Sequence, residues 1–253
     1  AVSNVVGSNI FNLMVVLGVC AVITELKVSK DVLKRDYPFS VLCAILLLVA
    51  GVIGMTLGRM DGIIFLVIFA VFIFYLIKSA LDARKSGEIS EKEREMNEEM
   101  EEMQDLPVWK CILYIVGGAI AIKYGGDWVV DSASVIATSF GISATLVGLT
   151  ICSVGTSLPE LVTSIVAARK NELDMAVGNV VGSNVFNILM VLGIAATVSP
   201  IAFLTENIID IVVLLVFSLI TWVLCVTQKK VSKKEGILML VLYTIYLVYI
   251  CIR

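Results

Sequence analysis

Glu160 lies inside an apolar run from about residue 142 to 168. Such a run can cross a bilayer, which takes about 20 residues of helix. A charged side chain at that depth costs at least ~2.5 kcal/mol on an insertion scale, so an intramembrane carboxylate reads as a functional group. Its neighbours are Gly155-Thr156-Ser157-Leu158-Pro159. Pro159 has no backbone N–H, and its ring clashes with the carbonyl four residues back, at Gly155. The helix is expected to kink or break there and to leave carbonyl oxygens without helical partners. On a continuous helix Ser153, Thr156, Ser157 and Glu160 fall at i, i+3, i+4 and i+7, which is one face. Hydroxyls, freed carbonyls and one carboxylate form an oxygen-rich set suited to a hard cation such as Na⁺ or Ca²⁺. The alternative is a Pro-kinked helix in which Glu160 is protonated or paired for structural reasons.

The elements that must hold this segment are membrane spans. The chain has 253 residues, 59% of them hydrophobic, with a mean hydropathy of +0.99. That composition, distributed in long apolar runs, identifies an all-α polytopic membrane protein. Spans are expected at about 1–24, 39–57, 63–81, from 109 onward, 142–168, 174–197, 207–227 and 236–252, eight in all. The one long hydrophilic stretch, 82–107, carries nine acidic residues from Glu88 to Asp105 against Arg84, Lys85, Lys92 and Arg94. It reads as a helical or disordered linker between a first half, 1–81, and a second half, 108–253. The absence of His removes imidazole acid–base chemistry and His-ligated zinc. The six Cys sit in or beside apolar runs with no CxxC, as small apolar side chains would.

A repeat organises the two halves. Residues 1–18 read AVSNVVGSNIFNLMVVLG and residues 176–193 read AVGNVVGSNVFNILMVLG, identical at thirteen of eighteen positions. Each copy places polar residues at i, i+4 and i+8: Asn4, Ser8, Asn12 and Asn179, Ser183, Asn187. Polar groups in hydrocarbon need partners, so each stripe should face the bundle interior or a cation path. Hydrogen bonding between helices is the plainer alternative.

Five crossings separate the first copy, on span one, from the second, on span six, so the two run in opposite directions. Charge agrees. With the 25–38 loop in the cytoplasm, the 82–110, 169–173 and 228–235 segments are cytoplasmic too, and together they hold fifteen of the nineteen Lys and Arg. Inverted repeats are the architecture of many secondary transporters, with the ion site at the repeat interface. In the second half, two spans including the Glu160 span precede or carry the polar segment before the stripe helix. Symmetry therefore leads one to expect two further spans before Ala1, one bearing an acidic partner for Glu160, giving ten helices when complete and eight here.

The segment Gly155-Thr156-Ser157-Leu158-Pro159-Glu160-Leu161, followed by Gly178-Asn179-Val180-Val181-Gly182-Ser183-Asn184, resembles the second alpha-repeat of the cation/calcium exchanger superfamily, and more narrowly the prokaryotic sodium/calcium exchangers. The resemblance covers the whole chain. It implies ten helices in two inverted halves joined by a cytoplasmic loop, the 82–107 segment. It also implies Na⁺/Ca²⁺ antiport by alternating access in the cell membrane of a prokaryote. The implied ligands are Glu160 for both ions, the Thr156 carbonyl, Ser157 and Ser153 for Na⁺, the Ser8 and Ser183 hydroxyls, and Asn12 and Asn187 flanking the centre. Na⁺ and Ca²⁺ are cargo, the lipid bilayer is the surrounding partner, and neither a resident cofactor nor a nucleic acid is implied. Potassium-dependent relatives carry Asp where Asn187 stands, which argues against K⁺ co-transport. Proton/calcium antiport on the same fold and a cation channel are the competing readings. An intramembrane serine protease is disfavoured, because the second Gly of GxSxG and any His partner are missing.

Overall fold

The computed structural model describes residues 1–29, 31–86, 107–141, 151, 153–228 and 230–252. The linker expected at 82–107 lies mostly outside the described residues, as do Lys30, residues 142–150, Cys152 and Lys229. Among the described residues, seven helical segments are long and apolar enough to cross a membrane. They coincide with seven of the eight expected spans. The eighth, 142–168, is described only from its broken middle onward.

The helices in chain order are α1 (Val2–Phe11), α2 (Leu17–Ile23), α3 (Tyr37–Val52), α4 (Arg59–Ser86), α5 (Val108–Ser139), α6 (Ser153–Thr156), α7 (Leu158–Arg169), α8 (Leu173–Phe186), α9 (Leu192–Val198), α10 (Thr205–Gln228) and α11 (Lys233–Ile252). A π-helical turn, Asn12–Val16, joins α1 to α2, and another, Asn187–Val191, joins α8 to α9. The two turns therefore begin at equivalent positions of the repeat. Four two-residue strands cap the loops: β1 (Leu26–Lys27), β2 (Thr56–Leu57), β3 (Ile201–Ala202) and β4 (Lys230–Val231).

The second span begins earlier than the sequence pattern indicates. A π-helical turn at Val32–Asp36 runs straight into α3, so the spanning helix is Val32–Val52, not 39–57. Lys34, Arg35, Asp36 and Pro38 look like loop residues. Pro38, however, follows directly on the π-helical turn, whose altered hydrogen-bonding register accommodates a residue without an N–H. Arg35 and Asp36 also pair at 2.6 Å, which moderates the charge at the helix start. The last residues assigned to this span, Thr56 and Leu57, belong to β2.

Strand pairing reports the topology directly. β1 pairs antiparallel with β4, Leu26 opposite Val231 and Lys27 opposite Lys230. β2 pairs antiparallel with β3, Leu57 opposite Ile201 and Thr56 opposite Ala202. The two ladders exchange under the repeat, because β1 corresponds to β3 and β2 to β4. The first ladder joins the 25–38 loop to the 228–235 loop, two segments that the charge distribution places on the same side. The Lys230 ammonium also reaches Glu25 at 2.8 Å, and the Ser29 N–H donates to Asp174 Oδ1 at 3.1 Å. Three of the four segments that the charge distribution places on one side are thus tied together, as inverted repeats require.

Packing divides the chain into two compact units. One contains residues 1–66 and 122–253, the other residues 67–121. The first unit carries the repeat and the candidate site. Within it α1 packs on α10 and α8 on α3, again a symmetric pair of contacts. Its core holds Ile10, Met14, Leu17, Leu47, Ile188, Leu189, Leu192, Ile211 and Leu214. Its long helices turn apolar stripes outward: Leu42, Ile45, Val49 and Val52 on α3, and Val212, Val216, Leu219, Val223 and Val226 on α10. Exposed apolar stripes around a core that contains buried Ser, Asn and Thr fit a lipid surround. In the second unit, the α4 segment exposes Val67, Val71 and Phe74, and the α5 segment exposes Trp109, Ile112 and Ile115.

Two glycine crossings show how closely the symmetric elements approach. A Cβ on Gly236 would sit 2.7 Å from the Gly18 carbonyl oxygen, and one on Gly62 would sit 2.6 Å from the Gly193 carbonyl oxygen. Gly18 and Gly193 are repeat equivalents, so both crossings are built alike. Gly236→Ala and Gly62→Ala are each expected to destabilise the protein by about 1–3 kcal/mol, because backbone must move. Gly117→Ala, where a Cβ meets nothing within 4 Å, should be neutral. Thermal unfolding in detergent, followed by tryptophan fluorescence, compares the three.

Candidate functional site

The break in the 142–168 span occurs at Ser157, whose φ of −103° and ψ of 4° leave the helical region. The Ser157 N–H closes α6 by donating to the Val154 carbonyl at 3.0 Å, and Leu161 N–H donates to the Ser157 carbonyl at 3.0 Å to open α7. Pro159 and Glu160 occupy the first turn of α7. Pro159 needs no acceptor there, and Glu160 sits where the helix dipole favours negative charge. Gly155 is required by crowding, since a Cβ would fall 1.8 Å from Val130 Cγ2 on α5.

Thr156 is exposed, Ser157 is buried and Glu160 is half-buried. Ser153 opens α6, and its side chain lies outside the described residues.

The two stripe helices approach the break from both repeats. Ser8 Oγ on α1 lies 2.8 Å from Thr156 Oγ1. The Ser183 hydroxyl on α8 lies beside the Glu160 carboxyl. Glu160 Oε2 is buried without a hydrogen-bond partner among the described residues. Equivalent serines of the two repeats thus meet the last residue of α6 and the first turn of α7. Asn179 is differently employed. Its Nδ2 donates to the Glu160 carbonyl at 3.4 Å, to Thr163 Oγ1 at 3.1 Å and to Ser164 Oγ at 3.0 Å, which fastens α7 to α8.

Asn12 and Asn187 enter through a network that the stripe pattern does not reveal. Asn9 Nδ2 donates to the Asn184 carbonyl at 3.1 Å, and Asn184 Nδ2 donates to the Asn9 carbonyl at 3.2 Å. Asn12 Nδ2 donates to Asn184 Oδ1 at 3.3 Å, and Asn187 Nδ2 donates to Asn9 Oδ1 at 3.0 Å. Each bond has its counterpart under the repeat, so the local two-fold axis passes between Asn9 and Asn184. Asn9 and Asn12 are fully buried, and Asn12 Oδ1 has no hydrogen-bond partner among the described residues. An orphaned buried acceptor costs about 1–3 kcal/mol. Asn9 and Asn184 follow Ser8 and Ser183 by one residue, about 100° around the helix, which removes them from the i, i+4, i+8 stripe. Their identity in both repeat copies was the available signal.

Among the described residues, the candidate site brings together one carboxylate and neutral oxygens. Among the described residues no group of three or more His, Cys, Asp and Glu gathers in one place. That excludes a transition-metal cluster of such ligands within the described part.

Comparison with known proteins agrees with this architecture. The family model described as sodium/calcium exchanger protein matches residues 1–78 and 110–252. The inner membrane protein YrbG of Escherichia coli K12 is 36% identical over 229 residues, covering 88% of this chain and 69% of that protein. Sodium/calcium exchanger MaX1 of Methanosarcina acetivorans is 28% identical, covering 98% of this chain and 79% of its own length. Among solved structures, the sodium-calcium exchanger NCX_Mj soaked with 2.5 mM Na⁺ and 10 mM Sr²⁺ superposes with a TM-score of 0.75 at 29% identity, covering 98% of this chain and 75% of that one. With broken span, inverted repeats and family model in accord, the chain belongs to the sodium/calcium exchanger family of membrane cation antiporters.

Proposed function

We propose that this chain carries the second-repeat half of the ion site of a Na⁺/Ca²⁺ antiporter, with Glu160 as its charged ligand. The observation that carries this reading is the Glu160 carboxyl itself. It stands at a helix break within a membrane span, lies beside Ser183, and keeps Oε2 buried with no donor among the described residues. A cation is the species that such an oxygen lacks. Ser8, Thr156, Ser157, Ser153 and Ser183 add neutral oxygens, and Asn12 and Asn187 add amide carbonyls. Na⁺ and Ca²⁺ compete for these overlapping ligands. Occupancy by either cargo offsets the carboxylate charge and lets the site reorient, whereas an empty charged site resists crossing hydrocarbon. The hydroxyl-rich surroundings favour Na⁺ as the coupling ion, since proton coupling requires no extra oxygen ligands. Residues 1–81 and 108–253 act as the two halves that alternate access, joined by the 82–107 linker, in the cell membrane of a prokaryote.

Vesicles containing the full-length protein, loaded with Na⁺ and diluted into Na⁺-free medium with ⁴⁵Ca²⁺, test this directly. Glu160→Gln is expected to reduce uptake about a hundredfold or more, as loss of a buried charge partner worth ~3 kcal/mol implies. Folding is checked by monodisperse elution. Normal uptake in that variant removes Glu160 from the site, and uptake driven by a pH gradient alone replaces Na⁺ with H⁺ as the coupling ion.

Ser8→Ala and Ser183→Ala discriminate between the ions. Each removes a neutral oxygen, which matters most to the ion of lower charge. Half-saturating Na⁺ is expected to rise roughly fivefold, about one hydrogen bond's worth, with a smaller change for Ca²⁺. Equal shifts for both ions would place these hydroxyls outside Na⁺ coordination.

A further inference from the structure

Four asparagines at the crossing of α1 and α8 form a chain of hydrogen bonds whose direction is determined at one end. A backbone carbonyl can only accept. The Asn9 carbonyl therefore requires the NH₂ group of Asn184, which turns Asn184 Oδ1 the other way. That oxygen accepts from Asn12 Nδ2, so Asn12 must in turn present its own Oδ1 away from Asn184. The mirror chain runs from the Asn184 carbonyl through Asn9 to Asn187. Each amide could be built in two flipped orientations, but the acceptor-only carbonyl leaves one for each link. The last atom of the first chain, Asn12 Oδ1, is buried and has no hydrogen-bond partner among the described residues.

A network serving only to hold two helices together would satisfy its own buried atoms. This one ends on an oxygen that it does not satisfy. The π-helical turns begin at Asn12 and Asn187, and such turns are frequent where side chains are aimed at function. The Asn9 and Asn184 carbonyls also accept from the Asn12 and Asn187 backbone N–H groups. Backbone and side chain of each outer asparagine are thus referred to the same inner residue pair.

We infer that Asn9 and Asn184 are positioning residues: they do not touch the cation, but orient the Asn187 and Asn12 amides so that oxygen, and not NH₂, faces the site. This rests on the exchange reading above, in which Asn12 and Asn187 are ligands. The assignment is cross-wise. Asn184 acts through Asn12 of the other repeat, and Asn9 acts through Asn187. A flipped amide would put hydrogen-bond donors against a cation, so loss of the positioning residue should weaken Ca²⁺ binding about as much as loss of the ligand it orients.

A double-mutant cycle on the full-length protein in vesicles tests the cross-wise pairing. Half-saturating Ca²⁺ is measured for Asn12→Ala, Asn184→Ala, Asn9→Ala, Asn187→Ala and their pairs. Asn12→Ala and Asn184→Ala are each expected to raise it several-fold, and the double variant to stay within about twofold of Asn12→Ala alone. Asn9→Ala with Asn187→Ala should behave likewise. The crossed pairs Asn9→Ala with Asn12→Ala, and Asn184→Ala with Asn187→Ala, should multiply. Effects that multiply in the cognate pairs overturn the inference, because a purely structural contribution would be indifferent to the pairing. If Asn184→Ala does not fold, Asn184→Ser carries the same cycle. It keeps a hydroxyl at the buried crossing but is too short to reach Asn12. Glu160→Gln is run alongside. If it leaves uptake intact, the site reading itself fails and the inference with it. If it abolishes uptake while cognate pairs multiply, the positioning role alone fails.

Discussion

A polar group held in hydrocarbon must find a polar partner, because no water competes for it. That constraint governs the repeat unit. Each stripe helix carries a run of Ser and Asn through an apolar setting, and each run is answered mainly by the opposite repeat. Ser8 meets Thr156, Asn9 meets Asn184, and Asn12 and Asn187 complete the network across the axis. Neither repeat could bury its stripe alone. Association of the two inverted copies is therefore built into the polarity of the helices.

The same constraint gives meaning to the atoms left over. Glue between helices accounts for Asn179, whose amide is spent on α7 and the Ser164 hydroxyl. It does not account for Glu160 Oε2 or Asn12 Oδ1, both buried acceptors without donors among the described residues. Two unsatisfied oxygens of this kind are unfavourable for folding by themselves, and under the proposed exchange reading a cargo cation offsets that cost.

Loops at both membrane faces obey the symmetry as closely as the interior does. The two short ladders, β1 with β4 and β2 with β3, join the repeats in matching registers on opposite sides. The glycine crossings do the same between helices, where Gly18 meets Gly236 and Gly62 meets Gly193. Backbone contact of this closeness substitutes for the hydrophobic drive that is absent between helices in lipid.

Much of this was legible in the chain. Long apolar runs located the spans, the repeated eighteen-residue segment with the distribution of Lys and Arg established inversion, and Pro159 beside Glu160 located the break. These properties are local or periodic, so composition and spacing carry them. Other features were decided only by tertiary structure. The helix start at Val32 depends on a π-helical turn that admits Pro38 and on the Arg35–Asp36 pair. The position of the break, at Ser157 and not at Pro159, is a backbone feature that the spacing of residues does not specify. The Asn9–Asn184 pair lies off the polar stripe and acquires its role from a helix 175 residues away. A sequence specifies which polar groups need partners; which atoms meet, and which oxygen remains for a cation, is settled only when the two repeats cross.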